Sequence, residues 1–330
     1  MIEKRRSVKL FCCLAYLFFN IGATIFAQIS KEDNGSYAYN TLLVPLAVEV
    51  IKFMVSLLLL IKMKIRKESI VGKGGYHSFL MFSIPGFCYF VSNSCMFYII
   101  RDFGPSKYQI FSNLKILSSG ILMRIILRRY LSWLQWKAII LLVLGATIVQ
   151  LNEKDCEADM FEKSNKNSSH SDRSVLISYA FILLNSFFSG AGGVFSERLL
   201  KGEDMLATEC IHWQNIQMYF WGIFWGLFPL VLSESSTVNI SRSFADFNLP
   251  ACLAILTLAA SGLSVSYILK YLDNIAKCFV ATLGMIFVAI YEKTIDSDIM
   301  TPTLNLVLGI ILTGMALEQY HVQPILAQIA

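Results

Sequence analysis

Apolar residues come along this chain in runs rather than in faces. Ten stretches, at 10–28, 41–61, 78–100, 106–127, 134–151, 174–195, 211–232, 249–269, 274–291 and 303–320, are apolar almost throughout. Each approaches the roughly 20 residues that carry a helix across a hydrocarbon core. The pattern therefore predicts an all-α polytopic membrane protein with ten transmembrane helices. The first run, Leu10 to Phe26, follows Lys4, Arg5 and Arg6 as the core of a secretory signal would. It is long for such a core and no small-x-small cleavage site follows it cleanly, so it is read as a retained first helix.

The polar segments between the runs orient them. Basic residues gather at the start (Lys4, Arg5, Arg6, Lys9), after the second run (Lys62, Lys64, Arg66, Lys67, Lys73) and after the fourth (Arg124, Arg128, Arg129, Lys137). The intervening segments are acidic or neutral, with Glu32 and Asp33, then Glu153 to Glu162, then Glu234, then Asp296 and Asp298. The positive-inside rule places the basic side in the cytosol, with both termini there. Three glycosylation sequons, Asn34-Gly-Ser36, Asn167-Ser-Ser169 and Asn239-Ile-Ser241, all fall on the opposite face, as they must to be used.

The longest polar segment, 152–173, divides the chain into an N-terminal five-helix half (1–151) and a C-terminal one (174–330). Tyr98-Ile-Ile-Arg-Asp-Phe103 resembles Tyr267-Ile-Leu-Lys-Tyr-Leu272, and Gly145-Ala-Thr-Ile-Val-Gln150 resembles Gly314-Met-Ala-Leu-Glu-Gln319. Repeats of five helices must lie inverted, an architecture of transporters with the substrate site between the halves near the midplane.

Composition narrows the class further. Of 330 residues, 55% are hydrophobic and 15% charged, and the mean hydropathy is +0.58, too apolar for a soluble chain of this size. Seven of the eight cysteines stand in apolar stretches and only Cys156 in a polar one, so no disulfide framework or metal-binding pair is legible. His77, His170, His212 and His321 are far apart, and no metal or cofactor has a visible ligand set. A net charge of +5 in such a chain reports topology rather than nucleic-acid binding.

Charges inside the runs cost about 2.5 to 3.5 kcal/mol each on insertion scales, so each asks for a reason. Glu49 and Lys52 share a face of the second helix at i, i+3. Two readings are open: a self-satisfied ion pair, or a pair lining a cavity where a substrate anion competes for Lys52. Lys115 stands mid-run with no acid within a turn, on a polar stripe with Tyr108, Ser112 and Ser119. Such a stripe faces a wet cavity or another polar helix, and its ammonium suits a phosphate. An interhelical pair with Glu49 is the alternative. The seventh helix carries Gln214, Asn215, Gln217 and Tyr219, and the third carries Tyr89 and Asn93 a turn apart. Amides can meet a base or sugar, or hold helices together. Small residues, Ser189 to Ser196 and Ser261, Gly262 and Ser266, allow close helix approach.

Five segments together resemble a known family: Ala47-Val-Glu-Val-Ile-Lys52, Tyr108-Gln-Ile-Phe-Ser-Asn-Leu-Lys-Ile116, Gly192-Gly-Val-Phe-Ser-Glu197, Asn215-Ile-Gln217 and Lys270-Tyr-Leu-Asp-Asn-Ile-Ala-Lys277. They look like the nucleotide-sugar transporters of the drug/metabolite transporter superfamily, nearest the subgroup of CMP-sialic acid and UDP-galactose carriers. The resemblance implies a multi-pass Golgi carrier that exchanges cytosolic nucleotide sugar for luminal nucleoside monophosphate. It further implies Lys52, Tyr108 and Lys115 at phosphate and anionic groups, Tyr89, Asn93 and Asn215 at base, ribose or sugar, and Lys277 at a cytosolic gate. Trp221 and Leu272 stand where the family pattern has small residues. Expected partners are a nucleotide sugar, a nucleoside monophosphate and the bilayer; a homo-oligomer is an open class. Two other function classes compete: a membrane-embedded glycosyl- or phosphotransferase using Asp296-Ser-Asp298, and a non-transporting Golgi scaffold of the same fold.

Overall fold

The computed structural model describes residues 2–31, 39, 43–66, 75–150, 172–201, 210–232, 247–296 and 304–329. The three sequons, residues 152–171 of the long polar segment, and Ser297 and Asp298 lie outside these residues, whereas Asp172 and Arg173 open a helix. The described residues form helices and no strand. The helices are α1 Ile2–Ile29, α2 Leu43–Ile65, α3 Tyr76–Met81, α4 Ser83–Ser112, α5 Leu114–Ile126 and α6 Trp133–Gln150. There follow α7 Asp172–Lys201, α8 Ile211–Leu232, α9 Leu249–Tyr271, α10 Asn274–Asp296 and α11 Leu304–Ile329.

Among the described residues, seven stretches are long and apolar enough to cross a membrane: Ser7–Ile29, Leu43–Ile65, Tyr76–Met96, Trp133–Gln150, Tyr179–Lys201, Leu249–Tyr271 and Asn274–Tyr291. Their side chains sort as lipid demands. On α1 the exposed positions are Leu10, Phe11, Leu14 and Phe18, and the buried ones are Cys12, Tyr16 and Ala23. Small or polar groups turn inward because hydrocarbon outside is as good a solvent for leucine as the protein interior.

The chain packs as two compact units. The first comprises Met1–Phe90 and Phe195–Gly284, the second Val91–Val194 and Met285–Ala330. In the first, α1 lies along α9, and α2 packs on both α8 and α9. Cys12 and Tyr16 of α1, Ile268 of α9 and Val280 of α10 form a core joined by Leu272. In the second, α6 runs along α11 and touches α5. The α6–α11 approach requires glycine, since a Cβ on Gly145 would stand 2.8 Å from Thr313 Oγ1.

Local chemistry sets the helix ends. Asn248 accepts the Ala251 N–H at 2.9 Å to start α9, with Pro250 in the first turn. Ser132 and Gln135 exchange a reciprocal pair of bonds at the start of α6, a capping box. Asp273 accepts the Ala276 N–H at 2.7 Å, starting α10 two residues after α9 ends. Glu197, fully buried on α7, accepts the Asn274 N–H at 2.8 Å and pairs with Lys201. The Lys270 to Lys277 segment is therefore the α9–α10 turn, held by a carboxylate from α7.

The third and fourth runs, read as helices over 78–100 and 106–127, are divided otherwise, with breaks at Phe82 and Asn113. Helix α4 runs through 101–105, where the pattern expects a break between the third and fourth runs. Asn185 bonds both to Ser92, Nδ2 to carbonyl oxygen at 2.7 Å, and to the side chain of Tyr108. In a straight helix those two would be about 24 Å apart along the axis, beyond the reach of one side chain. The axis therefore turns back between them. Gly104-Pro105 lies in that interval, and proline removes a helix donor and clashes with the preceding turn.

Candidate functional site

In the first unit the Lys52 side chain is buried where α2 meets α8 and α9. Its ammonium pairs with Glu49 of its own helix and stands 4.5 Å from the centre of the Tyr219 ring. A cation held over an aromatic face is stabilised by the ring quadrupole, more so when desolvated. The Tyr219 hydroxyl shares a 2.7 Å hydrogen bond with Ser266 of α9. Two glycines make the room: a Cβ on Gly222 would sit 2.7 Å from Glu49 Oε2, and one on Gly262 would sit 2.8 Å from Lys52 Cδ. Gly262, which reads as a small residue for helix approach, thus helps wall in an ion pair, together with Gly222.

The polar run of α8 separates into structural and unspent groups. Gln214 accepts from Lys270 at 2.8 Å and donates to the Leu199 carbonyl at 3.3 Å. Gln217 accepts from Ser78 at 3.4 Å. Asn215, one turn before Tyr219 on the same face, is fully buried with neither amide atom hydrogen-bonded. An unmet buried amide costs about 1 to 3 kcal/mol, and Asn274 at the start of α10 is in the same state, while Gln217 leaves its Nε2 unmet. Trp221 points elsewhere: its indole donates to the Phe79 carbonyl at 2.7 Å and its ring packs on Phe79 at 5.3 Å. Leu272 is likewise accounted for, as part of the α1–α9–α10 core.

Tyr89 on α4 and Lys277 in the first turn of α10 belong to the same unit and are half-buried. Neither makes a hydrogen bond or ion pair to the Lys52 cluster among the described residues.

The second unit holds Asn93, Tyr108, Ser112 and Lys115. Asn93 and Lys115 are exposed, while Tyr108 and Ser112 are half-buried. The polar stripe is interrupted at Asn113, where α4 gives way to α5. Asn113 makes no cap bond and instead donates to Gln150 of α6 at 2.9 Å. Gln150 in turn reaches Met285. Lys115 follows in the first turn of α5. Ser119, on the same stripe, is buried where Gly190 of α7 comes close.

Asn185 escaped the sequence reading, and Ser266 entered it only as a small residue for close helix approach. Asn185, buried on α7, clamps the bend of α4 and touches Tyr108. Ser266 orients Tyr219. Their only signal in the sequence is a lone polar residue in an apolar run, which many packing roles share. No group of three or more metal-ligating side chains occurs among the described residues.

Comparison with known proteins completes the picture. The profile of the family described as "Nucleotide-sugar transporter" matches residues 4–321. The CMP-sialic acid transporter 1 of Arabidopsis thaliana is 30% identical over 91% of this chain and 86% of its own length. The UDP-galactose transporter senju of Drosophila melanogaster is 29% identical over 94% of this chain and 86% of its own. The UDP-N-acetylglucosamine transporter of Canis lupus familiaris is 26% identical over 91% and 90%.

Proposed function

Because the chain belongs to the nucleotide-sugar transporter family, whose members here are carriers and not enzymes, we propose that it is an antiporter. It exchanges a cytosolic CMP- or UDP-linked sugar for a luminal nucleoside monophosphate across the Golgi membrane. Both termini are cytosolic, and the ten runs form two inverted halves, 1–151 and 174–330.

One observation carries this reading: a buried lysine ammonium, paired among the described residues with a neighbour on its own helix, stands over the Tyr219 ring, one helical turn from an asparagine whose amide is unmet. A substrate phosphate offers Lys52 a second anion, which competes with Glu49 for the ammonium. Tyr108 and Lys115 take further anionic oxygens, with Ser112 beside them. Tyr89, Asn93, Asn215 and Tyr219 take base, ribose or sugar, and Lys277 stands at the cytosolic gate.

Support for inverted halves comes from register. Both matched fragment pairs are separated by the same interval, since 267 − 98 and 314 − 145 are each 169. Subtracting that interval from the Leu272–Asp273 turn lands on Phe103-Gly104, inside the bend of α4.

The test is counterflow. Liposomes carrying the protein and preloaded with CMP or UMP are expected to accumulate labelled nucleotide sugar, and Lys52→Ala and Lys115→Ala to abolish accumulation while the protein stays folded. Absence of uptake across a panel of CMP, UDP and GDP sugars rejects the proposal.

A further inference from the structure

The α5–α6 turn concentrates positive charge that the carrier site does not use. Arg124, Arg128, Arg129 and Lys137 are all exposed there, and no acidic residue occurs between Asp102 and Glu153. Arg128 and Lys137 make no ion pair among the described residues. Apolar and aromatic groups surround the charges in an order that suits a membrane surface. Leu131 is buried and anchors the turn, whereas Tyr130 and Trp133 are 80% and 76% exposed. The Arg124 guanidinium lies 5.5 Å from the centre of the Tyr130 ring. Trp133 opens α6, itself one of the apolar stretches long enough to span. Tyrosine and tryptophan at the ends of spanning helices sit at headgroup level.

Arg128 occupies this turn at a conformational cost. Its φ is 51°, and it alone among the described non-glycine residues has a positive φ. The position follows the C-terminal end of α5, where glycine or asparagine is usual because a side chain crowds the backbone. An arginine kept there trades local backbone comfort for a guanidinium directed off the helix end.

We propose that the α5–α6 turn docks the phosphate headgroups of anionic phospholipids in the leaflet it faces. Four cations with no acid on their hairpin match a diester or monoester phosphate, and the flanking Tyr130 and Trp133 rings match the adjoining glycerol and acyl boundary. A soluble phosphate would satisfy the charges but leave both exposed rings without a partner, so the lipid is the occupant that uses the whole surface. This inference does not depend on what the carrier transports.

Native mass spectrometry of the full chain in neutral detergent, titrated with a phosphatidylinositol phosphate, phosphatidylserine or phosphatidylcholine, tests it. Anionic lipids are expected to bind more tightly than phosphatidylcholine, and Arg128→Gln and Lys137→Gln to weaken them about fivefold for each charge removed. Arg128→Gly separates this from a structural role, because it is expected to raise the apparent melting temperature by about 2 °C while lowering anionic-lipid affinity. It also decides the matter if either glutamine variant fails to fold. Equal binding of phosphatidylcholine, or affinity unchanged in Arg128→Gly, overturns the proposal. Displacement of the lipid by soluble inositol phosphate at equal affinity overturns the assignment to lipid.

Discussion

On α8, Asn215 has both amide atoms buried and unmet, a state that Asn274 shares in the first unit. Its neighbour Gln214 spends its groups on Lys270 and Leu199 and behaves as a strut, whereas Gln217 holds Ser78 through its oxygen and leaves its Nε2 unmet. The unmet Asn215 amide costs stability unless a ligand repays it. Asn215→Leu is accordingly expected to leave the melting temperature unchanged or higher while abolishing uptake. A stability loss with transport intact would mark the residue as structural. In the second unit Asn185 bonds Ser92 and reaches Tyr108, so it should act on substrate through that tyrosine. A double-mutant cycle of Asn185→Leu and Tyr108→Phe, read on KM in counterflow, is expected to show coupling of about 0.5 to 3 kcal/mol. Additive effects would mean that the two act separately.

At the scale of elements, the turns are where the chain commits its rarest chemistry. The α9–α10 turn has a fully buried carboxylate behind it: Glu197 holds the Asn274 N–H and pairs with Lys201. Glu197→Ala removes an ionic acceptor from a buried backbone donor and is expected to cost about 1.5 to 3 kcal/mol. Lys201→Ala leaves that fully buried carboxylate without its cation and is expected to cost more, about 3 kcal/mol. Thermal unfolding of both variants in the same detergent checks the order. The bend in α4 is the counterpart of this turn. Hydropathy put a break at 101–105, and the helix instead continues while changing direction. A run of apolar residues reports depth in the bilayer; backbone hydrogen bonding at a Gly-Pro step is a separate question, so the two descriptions agree on the reversal and differ on the helix.

For the whole molecule, the family assignment and the buried cation together make ligand binding a matter of linkage. A nucleoside monophosphate that binds only the folded carrier should stabilise it by about 2.7 kcal/mol at a hundredfold excess over Kd. A melting screen of CMP, UMP and GMP is expected to single out one base. No shift with any of them would speak against the carrier reading. The same screen on Lys52→Ala should lose the shift, since the variant removes a phosphate partner, while Arg128→Gly should retain it.

By itself the sequence determined that this chain lives in lipid, that it is helical, and to which family it belongs. Those properties follow from local composition: hydrocarbon forbids unpaired backbone, so apolar runs must be helices, and a charge within one stands out by its cost. It also singled out Glu49, Lys52, Lys115, Asn215 and Tyr219, because polar residues are scarce where they occur. Only the tertiary structure decided how they are spent. That Lys52 rests on Tyr219, that Gly222 and Gly262 clear space for the ion pair, that Gln214 is tied at both ends and Asn215 beside it is not, and that Asn185 closes the bend of α4 all depend on contacts between helices far apart in the chain. Periodicity records which side of a helix is polar, whereas a hydrogen bond requires distance and angle from two helices at once, and those exist only after the helices have packed.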